Sequence, residues 1–150
     1  METREIPEML TQILLPGLPV ALSEIPLFAR RTDGSSLGVI VFNVHPDTAF
    51  YRLSPESSLR LRQLITLRLN EKLRATDRLF SISSMEWLIV LPGLRSSATL
   101  TMAMLKLRQL FDERSLVVDG IVLRLPVSCG AAIHPEDGDD ALYLVQSARI

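Results

Sequence analysis

Apolar and polar positions divide the chain into short unbroken runs and longer periodic stretches. Leu37–Val44 (LGVIVFNV) is apolar on both faces and rich in β-branched residues, which predicts a central strand of a sheet covered on both sides. Trp87–Leu91 is a second continuous run, expected to end at Pro92-Gly93. With Asp77–Ile82 before it, this run predicts a hairpin whose connection, Ser83-Ser84-Met85-Glu86, stands out at the rim of the sheet. Leu116–Val118, Asp119-Gly120 and Ile121–Leu125 carry the Asp-Gly signal of a second hairpin. Pro126–Ile133 reads as a further strand, in which Gly130 allows a bulge or close backbone packing.

Between these runs the apolar period lengthens to that of a helix. Thr3–Leu14 places Ile6, Met9, Leu10 and Ile13 on one face and is stopped by Leu15-Pro16-Gly17. Pro19 to about Arg31 is a second helical segment, which Pro26 should kink or restart. Leu61, Ile65, Leu69 and Leu73 repeat every four residues in a long helix from Ser54 or Pro55 to about Arg74, and should face the sheet. Leu59, Leu64 and Leu67 lie off that stripe and offer a second apolar face. Arg95 to about Phe111 is the next helix, with Leu100, Ala103, Met104, Leu107 and Leu110 in its apolar series. An acidic turn over His134–Asp140 precedes the last helix, Asp140–Ile150, with Asp139 expected as its cap. Strands alternating with helices, plus internal hairpins, predict an α/β (α+β) domain with a central, mostly antiparallel, five-stranded sheet flanked by helices.

Composition narrows the classes of function. A chain of 150 residues, 47% hydrophobic and 22% charged, is one globular domain able to bury a sizeable core. A net charge of −1 gives no reason to expect nucleic-acid binding. The long helix carries Arg60, Arg62, Arg68, Lys72 and Arg74 against Glu56 and Glu71, a basic bias read as a solvated face. Cys129 is the only cysteine, which excludes an internal disulfide and a cysteine-based metal cluster, and His45 and His134 have no neighbours at metal-ligand spacing. The expectation is no metal and no cofactor. The acidic turn lacks the spacing of a calcium loop. Met1–Leu10 holds Glu2, Glu5 and Glu8 where a secretory leader is basic, and no apolar run approaches the ~18 residues of a membrane span. The expectation is a cytoplasmic domain without membrane insertion. Its mean hydropathy of +0.26 is high and points to a surface covered by a partner.

Five stretches, in order, resemble the GGDEF domain, the fold of bacterial diguanylate cyclases. They are LLPGLP at Leu14–Pro19, VIVFNVH at Val39–His45, the segment Leu73–Gly93 that holds the hairpin, Val118–Ala141, and the start of the closing helix at Ala141–Ile150. The resemblance covers the chain from about Leu14 onward. It implies an N-terminal helix or linker over residues 1–16 and a degenerate GGDEF domain over 17–150.

A cyclase of that family joins two GTP molecules, each held by one domain of a pair, using metal ions bound by carboxylates. By the resemblance, the carboxylate that closes the first strand falls at Asn43 and its companion at His45. The signature falls on Ser83, Ser84, Met85, Glu86 and Trp87, of which only Glu86 and the aromatic Trp87 agree. Serines stand where glycines let the backbone approach phosphates, and a thioether stands where an acid binds metal. The guanine-binding positions fall near Tyr51 and Leu59, which cannot pair with a guanine edge in the same way. An amide and a thioether do not replace two carboxylates around a hard cation such as Mg²⁺. The resemblance therefore implies no catalytic residues and no cyclase activity.

One functional element of the family is retained. Arg74-Ala75-Thr76-Asp77 matches the RxxD pattern that many cyclases carry before the signature as an inhibitory site for cyclic di-GMP. An arginine fork suits phosphate or the Hoogsteen edge of guanine, and a carboxylate can accept from guanine N1 and N2. Lys106 or Arg108 on the following helix would add a basic residue. The plainer reading of Arg74 and Asp77 is an ion pair at a helix end. The implied function is a catalytically inactive GGDEF domain in bacterial cyclic di-GMP signalling that binds this nucleotide through its RxxD site. The alternative is a scaffold or dimerisation module that binds no nucleotide and contacts other signalling proteins or a second copy of itself.

Overall fold

A computed structural model describes residues 14–30, 33–112 and 116–149. The helix expected over Thr3–Leu14 falls, but for Leu14, outside them. Strand β1 (Ser36–Val44) is the centre of the molecule, because both of its faces are apolar. Ile40, Phe42 and Val44 enter one core, and Leu37, Val39 and Val41 enter another on the opposite side of the sheet. The hairpin strands β2 (Arg78–Ser83) and β3 (Glu86–Leu94) lie on one side of β1, and β6 (Val127–His134) lies on the other. The order is β2-β3-β1-β6, antiparallel throughout. β3 shares the two-faced character of β1, with Trp87, Ile89 and Leu91 on one face and Leu88 and Val90 on the other.

Helices α2 (Pro55–Glu71) and α3 (Ser97–Asp112) supply the first core, and α1 (Leu18–Ala29) and α4 (Ala141–Arg149) the second. α2 begins where Ser54 caps it by accepting from the Ser57 amide, with Pro55 in the first turn. It stops at Glu71, three residues before the sequence limit, and leaves Arg74 in the turn that leads to β2. α1 keeps Pro26 inside a continuous helix rather than restarting there. The tip of the β2–β3 hairpin is tied down: the Val44 amide donates to the Met85 carbonyl at 2.9 Å, and Met85 packs partly against the core.

Three expectations are corrected. The sheet has four strands, not five, because β4 (Leu116–Val118) and β5 (Ile121–Leu123) pair only with each other. Their inner side chains Leu116, Val118 and Leu123 fill the α2–α3 core, and Asp119 in their turn accepts from Ser57 and Arg60 of α2. That ribbon is therefore pulled over a helix and not onto a sheet edge. Pro92-Gly93 does not end β3. The strand runs on to Leu94 through a bulge opposite the segment between Ser36 and Gly38, with Gly93 at φ 72°. The cap of α4 is Asp140 and not Asp139: its carboxylate accepts from the Tyr143 amide at 3.1 Å, the three-residue offset an N-cap requires.

Candidate ligand-binding groove and the signature end of the sheet

The turn between α2 and β2 brings Arg74 and Asp77 together. The Asp77 amide donates to the Arg74 carbonyl at 3.0 Å, and the Arg74 amide donates back to Asp77 Oδ2 at 2.8 Å. The same carboxylate accepts from Arg74 Nε at 3.1 and 3.3 Å and from Nη2 at 2.9 Å. Arg74 Nη2 also donates to the Pro92 carbonyl at 2.9 Å, which fixes the plane of the guanidinium against the end of β3. The Asp77 side chain is 2% exposed and that of Arg74 is 50% exposed. Arg74 thus presents a half-exposed guanidinium held by Asp77 and the Pro92 carbonyl, while the Asp77 side chain is buried.

This ion pair forms one wall of a groove of about 210 Å³ between the turn and α3. Leu91, Leu94 and Leu107 make its floor, and Met102 and Ala103 line its α3 side. Lys72, Arg74 and Lys106 stand around it. Of the two basic residues the sequence offered from α3, Lys106 lines the groove, and Arg108 is exposed on α3 and does not. Lys72 was not foreseen, although its place one residue past α2 puts it beside Arg74. Among the described residues, neither Lys72 nor Lys106 makes an ion pair. Three cations against one buried, paired carboxylate make the groove electropositive.

The other end of β3 is different. Register aligns Ser83, Glu86, Asn43 and Ser128 in one row across the four strands, beneath the end of α4. Glu86 is buried and both of its oxygens are taken by Arg149: Nε donates to Oε2 at 3.0 Å and Nη2 to Oε1 at 2.9 Å. The Ser83 hydroxyl donates to Glu86 Oε1 at 3.3 Å, and His45 Nε2 lies 2.8 Å from Ser128 Oγ. Trp87 is buried on the opposite face, donating from its indole nitrogen to Thr66 Oγ1 at 3.1 Å. Ser84 is exposed. Arg149 could not have been assigned to Glu86 from sequence, since 63 positions separate them and only the packing of α4 on β6 joins them.

An antiparallel palm-like sheet with helices on both faces is the architecture so defined, and solved structures place it more closely: the chain has the fold of GGDEF domains. It superposes on the GGDEF domain of PA1120 (TpbB or YfiN) from Pseudomonas aeruginosa with a TM-score of 0.80 at 19% identity, over 95% of this chain and 83% of that one. The GGDEF domain of DgcB from Caulobacter crescentus, solved in complex with c-di-GMP, gives 0.72 at 12% identity, over 90% and 81%. The active GGEEF domain of a diguanylate cyclase from Vibrio cholerae gives 0.72 at 13%, over 91% and 87%. No family model and no curated protein matches the sequence.

Metal ions, which cyclase chemistry implies, do not fit the signature end of this sheet. Among the described residues no three His, Cys, Asp or Glu side chains stand together. The one acid in the row, Glu86, faces a guanidinium with both oxygens, and Asn43 offers an uncharged amide. No helix among the described residues is long and apolar enough to cross a membrane.

Proposed function

We propose that this is a catalytically inactive GGDEF-type module of cyclic di-GMP signalling, and that it binds the cyclic dinucleotide in the groove beside Arg74. The observation that carries the reading is the convergence of Arg74, Lys72 and Lys106 on one groove with an apolar floor. A cyclic dinucleotide has two phosphates for the cations and flat bases for Leu91, Leu94 and Met102. Inactivity rests on the other end of the sheet, where the acid that remains is neutralised inside the protein by Arg149.

Calorimetric titration with cyclic di-GMP tests the reading. We expect binding that Arg74→Ala weakens at least about tenfold, the loss of charge-assisted hydrogen bonds to phosphate. An absence of heat at high-micromolar protein sinks it. The alternative, a module that binds only proteins, draws on the apolar excess of the chain and on three leucines of α2. Leu64 is buried, Leu67 is half-buried, and Leu59 alone is exposed.

A further inference from the structure

Two exposed patches lie on opposite faces of the sheet and carry opposite charge. On α3, Met102 and Leu105 are neighbours at the three-residue helical spacing, with Lys106 and Arg108 on either side of them. Both apolar side chains are exposed, and α3 holds no acid before Asp112. Among the described residues, neither Lys106 nor Arg108 makes an ion pair. On the other face, the turn before α4 holds Glu136, Asp137, Asp139 and Asp140, and the sequence has no Lys or Arg between Arg124 and Arg149. Leu142 and Tyr143 follow in the first turn of α4, and both are exposed. The Tyr143 ring lies against the acidic turn itself: a Cβ on Gly138 would stand 2.7 Å from its Cδ1. Asp137 and Asp140 are used to hold the turn, accepting from the Ile133 amide at 2.9 Å and the Tyr143 amide at 3.1 Å. Glu136 and Asp139 are left as exposed carboxylates beside the apolar pair.

We infer that this domain associates with a second copy of itself head to tail, the α3 patch of one molecule seated on the acidic turn and α4 start of the next. A second copy is the occupant because the chain carries both halves of the contact: an apolar pair beside free cations, and an apolar pair beside free anions. The two halves cannot meet within one molecule, since α3 packs on the first core and α4 on the second, with the sheet between them. The four apolar side chains, each 43–56% exposed, supply area to bury, and the opposed charges select the partner surface and its register. Joining unlike patches is a heterologous contact. It leaves one patch free at each end, so association continues into rings or filaments and does not stop at a two-fold dimer. The inference goes beyond nucleotide binding and does not rest on it. Met102 and Lys106 also border the groove, whereas Leu105 and Arg108 do not, so the test uses the latter two.

Sedimentation velocity of the full chain over a concentration series tests it, in dilute buffer and in 1 M NaCl, where the Debye length is about 3 Å. Two double variants each remove one patch: Leu105→Gln with Arg108→Glu on α3, and Glu136→Lys with Asp139→Lys in the turn. All four side chains are exposed, and circular dichroism confirms that each variant is folded. Wild type should show a mass that climbs past two copies as concentration rises and falls back in 1 M NaCl. Each variant alone should associate at least about tenfold more weakly, because the reversal sets like charges against each other. An equimolar mixture of the two variants should form a dimer and go no further, since one intact α3 patch and one intact turn remain between them. Wild type that stays monomeric at high-micromolar protein in dilute buffer overturns the inference. A dimer that both variants still form also overturns it, because the contact then lies on another surface. A mixture that stays monomeric does the same.

Discussion

A close approach of backbone to backbone lies at Gly130, where the last turn of α4 rests on β6. A Cβ added there would stand 1.8 Å from the Ala148 carbonyl oxygen and 2.9 Å from its carbonyl carbon. Ordinary contact lies at about 3.5–4 Å, so α4 and β6 must separate by about 1.5 Å to admit one methyl group. Both contacting atoms are main chain, and no rotamer change relieves the overlap. Leu144, Val145 and Ala148, each at most 1% exposed, hold α4 on the second core. A gap of even 0.5–1 Å under such side chains forfeits roughly a quarter to a half of their dispersion attraction. Overpacking usually costs about 1–3 kcal/mol, and the rigid partner puts Gly130→Ala near the top, at about 3 kcal/mol. For a domain of this size that is a fall in Tm of about 6–12 °C. Thermal unfolding by circular dichroism measures it, with Gly17→Ser as control. A new Cβ at Gly17 meets nothing nearer than the Ser81 carbonyl at 3.6 Å, and its hydroxyl adds a missing helix cap. A Tm for Gly130→Ala within about 2 °C of wild type would refute the reasoning. Hydrogen exchange should also rise selectively in α4, because the helix has room to move whereas β6 is held by its ladder to β1.

Two further outcomes concern the signature end. A double-mutant cycle on Glu86→Gln and Arg149→Met should give a coupling of about 1 kcal/mol, the upper end for half-exposed pairs, because the geometry is bidentate. The coupling should shrink in 1 M salt, where the Debye length is about 3 Å, and a value of zero in dilute buffer would deny the pair any role in holding α4. Purified protein given GTP and Mg²⁺ should form no cyclic dinucleotide. Turnover that Glu86→Ala abolishes would overturn the assignment of inactivity.

What the sequence made legible was local. β1 and β3 declared themselves because their apolar runs must serve two faces, and the structure sends alternate residues into two separate cores. The Asp119-Gly120 turn was readable because only residues tolerant of positive φ fit it, and both lie there, at 50° and 78°. Ser54 before Pro55 marked the start of α2 for the same kind of reason. The errors arose where a local signal met a distant partner. Pro92-Gly93 looks like a terminator, yet β1 opposite it admits a bulge and the strand continues. The β4–β5 ribbon looks like part of the main sheet, yet Asp119 binds Ser57 and Arg60 and draws it over α2. At the site, the RxxD spacing fixed the turn. It carried no information about burial, and burial separates the half-exposed Arg74 from the buried side chain of Asp77.

The two ends of β3 are separate in space and in surroundings. Glu86 and Pro92 are six residues apart on one strand, about 20 Å at ordinary rise. Glu86 faces the α1–α4 side, whereas the groove floor at Leu91, Leu94 and Leu107 belongs to the α2–α3 core. Asn43, Ser83, Ser84 and Met85 therefore lie at the Glu86 end of the sheet, and none of them lines the groove. The bulge reinforces this separation. The β2 ladder ends at the pair Arg78↔Val90, so Pro92 lies beyond it and its carbonyl has no strand partner on that side. Arg74 Nη2 fills that position. The feature that looked like the end of a strand thus supplies the acceptor that orients the guanidinium. That acceptor, the buried Asp77 and the cationic rim all lie away from the Glu86 end of the strand.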